Sequence, residues 1–271
     1  MIIDTRTIKK SNTRFILALI RMKLSKLMVF RLSFFGAFFV DGSMFLIQVL
    51  FYQAIYSRVD TIGGWSTPEM IIFIGTFSLI NALNMLIFFF GTNEIPNKIR
   101  SGDLDHYLTK PVNPLLRLSF ESVDPGSFPL ILASILLIMY GVKQLSIEVT
   151  FVRFAAYIIF VLMMTLLWYD LQMLVRTIPF FTISANNIAR MGDTMLELCL
   201  KVPGTLFKGV FKVIFYFFVP YGIMATYPTE LIAGKLTFPE LIYGCLIVVM
   251  FTICTLKFWS FGLKHYKSAS S

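Results

Sequence analysis

The sequence has 271 residues, 57% of them hydrophobic and 14% charged, with a mean hydropathy of +0.76 and a formal charge of +9. Soluble domains carry about a quarter charged residues, so this composition excludes an ordinary soluble enzyme and requires lipid as solvent. A crossing takes about 20 apolar residues, so the length holds six or seven crossings and leaves any large soluble activity to a partner.

Residues 1–28 read as a cytoplasmic segment. Its charges, from Arg6 to Lys26, interrupt every run that would serve as a cleavable signal, so the first crossing is expected to act as its own insertion signal. Within it, Thr13 to Met28 is expected to lie as a helix on the inner leaflet, with Phe15, Ile16, Leu19, Ile20, Leu24 and Leu27 toward lipid. An ordinary basic juxtamembrane segment is the alternative.

Residues 29–261 are predicted to form an all-α transmembrane domain of six helices, because a charge at mid-bilayer costs about 2.5 to 3.5 kcal/mol and six windows are almost free of charge. They run from Leu32 to Ser57, Met70 to Thr92, Gly126 to Val142, Phe154 to Val175, Val213 to Thr229 and Leu241 to Leu256. Asp41 and Asp170 break the first and the fourth. Ile178 to Leu200, with Arg190, Asp193 and Glu197, is too polar to span alone, and residues 262–271 form a short tail. Drawn this way, 20 of the 24 lysines and arginines fall on one side, which predicts that both termini are cytoplasmic. Topology and anionic lipid then account for the charge, and nucleic acid is not implied.

Between the second and third windows lies the longest polar stretch, Asn93 to Asp124. Ser101-Gly102-Asp103 breaks the chain and offers a cap, Leu104 and Leu108 follow one turn apart, and Pro111 stops the helix. A short helix is expected over Asp103 to Thr109, with Leu104 and Leu108 as an apolar face fit to enter a groove of a soluble partner. A simple capped loop is the other reading.

The run Ile99-Arg100-Ser101-Gly102-Asp103-Leu104-Asp105, continuing through Leu108, Lys110-Pro111, Asn113-Pro114 and Leu115, resembles the signature of six-span type 2 ABC export permeases, among them multidrug- and viologen-exporter-like permeases. Pro203 with Leu206-Phe207, Val219-Pro220-Tyr221, Tyr227-Pro228, Leu231 and Gly234 is similar to that family's fifth span and outer re-entrant segment. The resemblance implies a half-transporter of the bacterial cytoplasmic membrane: two permease chains, alike or related, driven by an ABC ATPase subunit dimer that binds ATP and magnesium. It implies an ATPase-coupling role for Arg100, Gly102, Asp103, Leu104, Leu108 and Pro111. No phosphate-binding glycine loop occurs in the chain, so ATP is expected on the partner and no cofactor here.

For the translocation path the candidates are Asp41, Asp170, Phe215 and Tyr216. A carboxylate ten residues into a span faces a bundle interior or a wet cavity, so Asp41 serves a path, a dimer interface or a structural hydrogen bond. Asp170 either lines the path or forms an ion pair with Arg176. Phe215 and Tyr216 belong to an aromatic-rich span able to hold an apolar or cationic solute. Asn81 and Asn84 read as interhelical hydrogen bonders. Pro220, Tyr227 and Pro228 mark an outer gate, where freed backbone groups are tolerated against protein.

An intramembrane protease is disfavoured because Ala189 stands where the first glycine of its motif should be. His106 and His265 lie outside the spans, and Cys199, Cys245 and Cys254 lack paired spacing, so no metal is expected. A secondary transporter or channel working without an ATPase is the remaining alternative.

Overall fold

The computed structural model describes residues 31–145, 147–182, 194 and 202–266. The expected interfacial helix Thr13 to Met28, most of Ile178 to Leu200, and residues 267–271 lie outside the described residues, as does the side chain of Asp41.

Among the described residues the chain is helical, with one isolated bridge between Ile62 and Trp65. Apolar runs in lipid must satisfy their backbone internally, and helices do so within a single segment. Helix α1 spans Arg31–Tyr56. Helix α2, Thr67–Asn84, starts on a capping box in which the Glu69 carboxylate and Ser66 satisfy each other's end of the first turn. It runs on through a π turn, Met85–Phe89, and α3, Phe90–Asn93, into α4, Ile95–Ser101. Short α5, Asp105–Leu108, and α6, Pro114–Phe120, lead to α7, Phe128–Gln144, and α8, Phe151–Thr177. After residue 202 come α9, Val210–Val213, a π turn Ile214–Phe218, α10, Tyr221–Met224, α11, Thr226–Ile232, and α12, Phe238–His265.

Among the described residues, three stretches suffice by length and composition to cross a membrane: Thr67–Ser101, Phe151–Phe180 and Phe238–His265. The pair Val210–Phe218 and Tyr221–Ile232, bent by 75°, would make a fourth. Helix α7 and the Leu46–Tyr56 part of α1 are apolar but shorter. Leu132, Leu136 and Met139 of α7, Ile159 and Leu162 of α8, and Leu246 and Val249 of α12 point outward, an apolar girdle that water would not solvate.

Helix α8 is the axis of the bundle. Its Phe160, Met164, Leu167 and Trp168 pack with Ile72 and Ile80 of α2, Ile138 of α7, Met224 and Tyr227 of α10 and α11, and Ile247 and Phe251 of α12. Helices α2 and α7 approach closely because both present glycine at the contact. A Cβ on Gly75 would stand 2.7 Å from Ile138 Cγ1, and one on Gly141 would stand 2.7 Å from Ile72 Cγ1. Small residues serve this purpose where helix packing in lipid relies on van der Waals contact.

The bundle has two ends, marked by Glu69 and by Arg176. The loop before α2, the start of α8 and the start of α12 share the Glu69 end, where the Arg153 guanidinium lies against Gly234 and Lys235 reaches Gly64. Phe181 stacks on Phe258 and Phe261 at the Arg176 end. Gly204–Leu206 sits at the Glu69 end, since a Cβ on Gly63 would be 2.8 Å from Thr205 Oγ1. Both flanks of Val210–Ile232 therefore lie at one end, and the segment is a hairpin broken at Pro220 that enters the bundle and returns. The expected fifth crossing over Val213 to Thr229 is corrected accordingly, and Lys208 and Lys212 move with it from the Arg176 end. An apolar run looks the same in sequence whether it crosses or dips; only its contacts with Gly63 and Gly64 tell the two apart.

Candidate functional site

The long helix α2–α4 leaves the bundle at Gly102, which holds φ 82°, a left-handed conformation that only glycine takes without strain. The Leu104 N–H then donates to the Lys98 carbonyl at 3.1 Å, six positions back and one further than the Schellman closure of a left-handed cap. This closure turns the chain back on itself and drops Leu104 onto the apolar face of α4. Leu104 is completely buried among Ile95, Ile99, Tyr107, Leu115 and Leu118, with Tyr169 and Met173 of α8 and Trp259 of α12.

The expectation of one apolar face shared by Leu104 and Leu108 does not hold. Helix α5 spans only Asp105–Leu108, and Leu104 precedes it, fastening the segment to its own bundle. Leu108 faces outward, 40% exposed, with Leu116 and Pro111 also at the surface. Arg100 and Asp103 are exposed beside them. Arg100 donates to the Pro96 carbonyl and to Asn97 Oδ1, and Asp103 Oδ2 accepts from the Ser101 hydroxyl at 2.7 Å.

Tyr107 fixes the orientation of this segment. Its hydroxyl donates to Glu121 Oε1 at 2.9 Å, and its ring lies between Lys98 Nζ at 4.8 Å and Arg117 Cζ at 4.5 Å. Lys98 closes the square on Glu121 Oε2 at 3.3 Å. Burial and the adjacent carboxylate hold the Tyr107 hydroxyl above its usual range, so it remains a donor. Asn113 caps α6 through Leu115 N–H at 2.9 Å. A Cβ on Gly91 would meet the Leu118 carbonyl, so α3 and α6 pack backbone to backbone. The outcome is a rigid, exposed knuckle.

Arg176, buried in the last turn of α8, donates to Thr92 Oγ1 and to Asn93 Oδ1 and lies over the Phe89 ring. It thereby ties α8 to the base of the knuckle. The ion pair expected between Asp170 and Arg176 is not formed. Asp170 is buried against α12, where Thr252 Oγ1 donates to its Oδ2 at 2.6 Å and Thr255 Oγ1 donates to its carbonyl at 3.2 Å. The two residues are six apart, about 9 Å along the helix, so each finds its partner on a different neighbour. Asn84 Nδ2 donates to Gln172 Oε1 at 3.3 Å, the interhelical bond expected of it.

Phe215 and Tyr216 belong to the π turn of the hairpin, half-buried rather than open. Phe215 packs on Phe207, and the Tyr216 carbonyl accepts from the Tyr243 hydroxyl at 2.7 Å. Pro220 sits at the bend, and Tyr227 and Pro228 are buried at the hairpin's return, with Tyr227 edge-on to Tyr216. Gly204 and Gly222 touch, since a Cβ on Gly204 would strike the Gly222 carbonyl, and Gly222 in turn sits against the Phe215 carbonyl and the Tyr216 ring.

At the Glu69 end lies a pair that sequence reasoning missed. Lys235 Nζ is 2.5 Å from Glu69 Oε1 and 3.4 Å from the Gly64 carbonyl. One signal was available in the sequence. Gly63 to Glu69 and Gly234 to Glu240 share a glycine, a serine or threonine cap, proline at the second helical position and glutamate at the third. Both glycines hold positive φ, and both glutamates close capping boxes.

Among the described residues no group of histidine, cysteine and acidic side chains could hold a metal ion. Neither a curated protein nor a solved structure matches this chain. A family model described as ABC-2 family transporter protein matches residues 42–270, which takes in the knuckle, the buried polar ties and the hairpin. With its apolar, lipid-suited helices, the chain belongs to the ABC-2 family of transporter proteins and is a multi-pass membrane subunit of the type 2 ABC permease kind.

Proposed function

We propose that this chain is the permease subunit of an ATP-driven exporter in a bacterial cytoplasmic membrane. It works as a dimer of permease chains on a separate ATPase dimer that binds ATP and magnesium. The observation that carries this reading is the knuckle: a 35-residue helix, Thr67–Ser101, ends in a folded segment that is anchored inward by Leu104 and Tyr107 and presents Leu108, Pro111 and Leu116 outward. A segment fixed to a helix on one side and apolar on the other is suited to receive a partner's motion and pass it on.

In this reading the Arg176 end is cytoplasmic and both termini lie there. Arg100, Gly102, Asp103, Leu104, Leu108 and Pro111 serve coupling, with Leu104 and Gly102 positioning the others rather than touching the ATPase. Asp41, Asp170, Phe215 and Tyr216 are assigned to the path, and Pro220, Tyr227 and Pro228 to an outer gate.

The test is capture of the ATPase on the tagged full chain from its native membranes. Leu108→Asp places a carboxylate in the docking surface and is expected to reduce ATPase recovery at least about tenfold, the scale of a lost interface anchor. Permease levels should be unchanged. Equal recovery with wild type and Leu108→Asp would remove the knuckle from the interface, and no ATPase with either would favour a transporter that works alone.

A further inference from the structure

Glu69 and Glu240 occupy matching positions in matching capping boxes, yet their surroundings differ. Glu240 Oε2 accepts from the Thr237 N–H and hydroxyl close to solvent. Glu69 Oε2 accepts the same two bonds from Ser66, at 2.8 Å and 2.9 Å, but its side chain is only 3% exposed. Its second oxygen, Oε1, is buried and pairs with Lys235 among the described residues. A cap needs one carboxylate oxygen. The other, desolvated and facing a lysine from a different element, serves another purpose.

Lys235 is well placed to grip two elements at once. It follows Gly234, which holds φ 74°, and its N–H donates to the Glu230 carbonyl at 2.8 Å, so it stands on the turn that ends the 210–232 hairpin. Its Nζ reaches Glu69 of α2 and the Gly64 carbonyl in the loop before α2. Beneath this grip the hairpin is sealed. Ala225 packs with Trp65, Met70 and Phe73 and is 2% exposed, and the Trp65 carbonyl accepts from the Tyr56 hydroxyl at 2.9 Å.

The lysine is half exposed and the glutamate is not. Separating the pair returns the ammonium to water at little cost but strands a carboxylate oxygen until water reaches it, so separation and hydration of the hairpin's seat go together. The long helix α2–α4 continues from Glu69 to Ser101, a length of about 48 Å at 1.5 Å per residue. The π turn Met85–Phe89 interrupts it part-way, the kind of irregularity at which long helices bend. The helix that carries the knuckle at one end thus carries the clasped glutamate at the other.

We propose that the Lys235–Glu69 pair is a latch that holds the 210–232 hairpin shut against α2, and that its separation opens the outer end of the permease. Calling that end outer rests on the exporter reading; the latch itself does not.

The test places a cysteine at Ala225 in the full chain, with Cys199, Cys245 and Cys254 replaced by alanine. The labelling rate with a charged methanethiosulfonate is read in membrane fragments open on both faces, without nucleotide. Lys235→Met is expected to raise the rate about tenfold, equivalent to about 1.4 kcal/mol. Lys235→Arg, which keeps the charge and reach, should label as slowly as the parent. Glu69→Gln, which retains a carbonyl for the Ser66 cap, should behave as Lys235→Met does and decides the matter where the lysine variant does not accumulate. A labelling rate unchanged by loss of the charge on either side overturns the latch and leaves ATPase capture untouched. Faster labelling in chains that capture no ATPase upholds the latch and overturns the exporter reading instead.

Discussion

Leu104 and Leu108 lie one turn apart on the knuckle, and truncating each to alanine should have opposite consequences. Leu104 is fully enclosed by side chains from α4, α6, α8 and α12. Removing a buried leucine side chain from so well packed a site costs about 3 kcal/mol, within the 2 to 5 seen for such truncations. Leu108 is 40% exposed and contributes little to folding. Its truncation should change stability by no more than about 0.5 kcal/mol. Limited proteolysis of the 102–124 segment in purified, detergent-solubilised chain reads the difference, because cleavage follows the population of the opened form. A cost of 3 kcal/mol corresponds to roughly a hundredfold faster cleavage for Leu104→Ala, against about twofold for Leu108→Ala. Capture of the ATPase should be weakened by Leu108→Ala in a chain that resists protease as wild type does. Equal protease sensitivity of the two variants, or greater sensitivity of Leu108→Ala, would refute the assignment of Leu104 inward and Leu108 outward.

Gly102→Val forces a β-branched residue to φ 82° and should loosen the same segment by about 1 to 2 kcal/mol, read as cleavage faster by a factor of roughly 5 to 30. Gly75→Val should overpack the α2–α7 contact, where even a Cβ would stand 2.7 Å from Ile138 Cγ1. The expected loss is about 1 to 3 kcal/mol or more, visible as a lower unfolding temperature in detergent, and an unchanged temperature would show that the helices separate freely. Thr252→Val removes the hydroxyl that donates to Asp170 and should cost about 1 to 3 kcal/mol by leaving a buried carboxylate short of a donor. Thr252→Ser should restore the bond, and failure of serine to do so would mean that the threonine methyl, not its hydroxyl, matters.

What could be read in the sequence was what is local. The charge-free windows found α7 and α8 to within a few residues, because lipid disfavours charges wherever a helix crosses, whereas α12 runs on past the Leu256 limit of its window to His265. The stop at Gly102 was legible as well, since Ser101-Gly102-Asp103 is turn chemistry on its face. The inward fall of Leu104 was not, because the six-residue closure onto Lys98 reverses the direction in which a simple helix would point it. The hairpin at Val210–Ile232 was half legible: Pro220 flagged a bend, but whether the run crosses depends on the contact of Gly63 with Thr205, far away in the chain. The same holds for Asp170 with Thr252 and Glu69 with Lys235. Each pair joins positions on different helices, and a lone intramembrane acid names no partner. For Glu69 the repeated glycine-to-glutamate capping pattern was a usable signal that went unread.

In the proposed function, this chain transmits an ATPase's work through the knuckle. The most direct measurement is magnesium-dependent ATP hydrolysis by the complex captured on the tagged full chain and reconstituted in lipid, compared between wild type and Leu108→Asp. Hydrolysis is expected to stay with the wild-type chain through size-exclusion chromatography and to be lost with the variant, although the variant permease inserts and purifies normally. Hydrolysis that elutes away from the wild-type chain, or that follows Leu108→Asp equally well, would contradict this function.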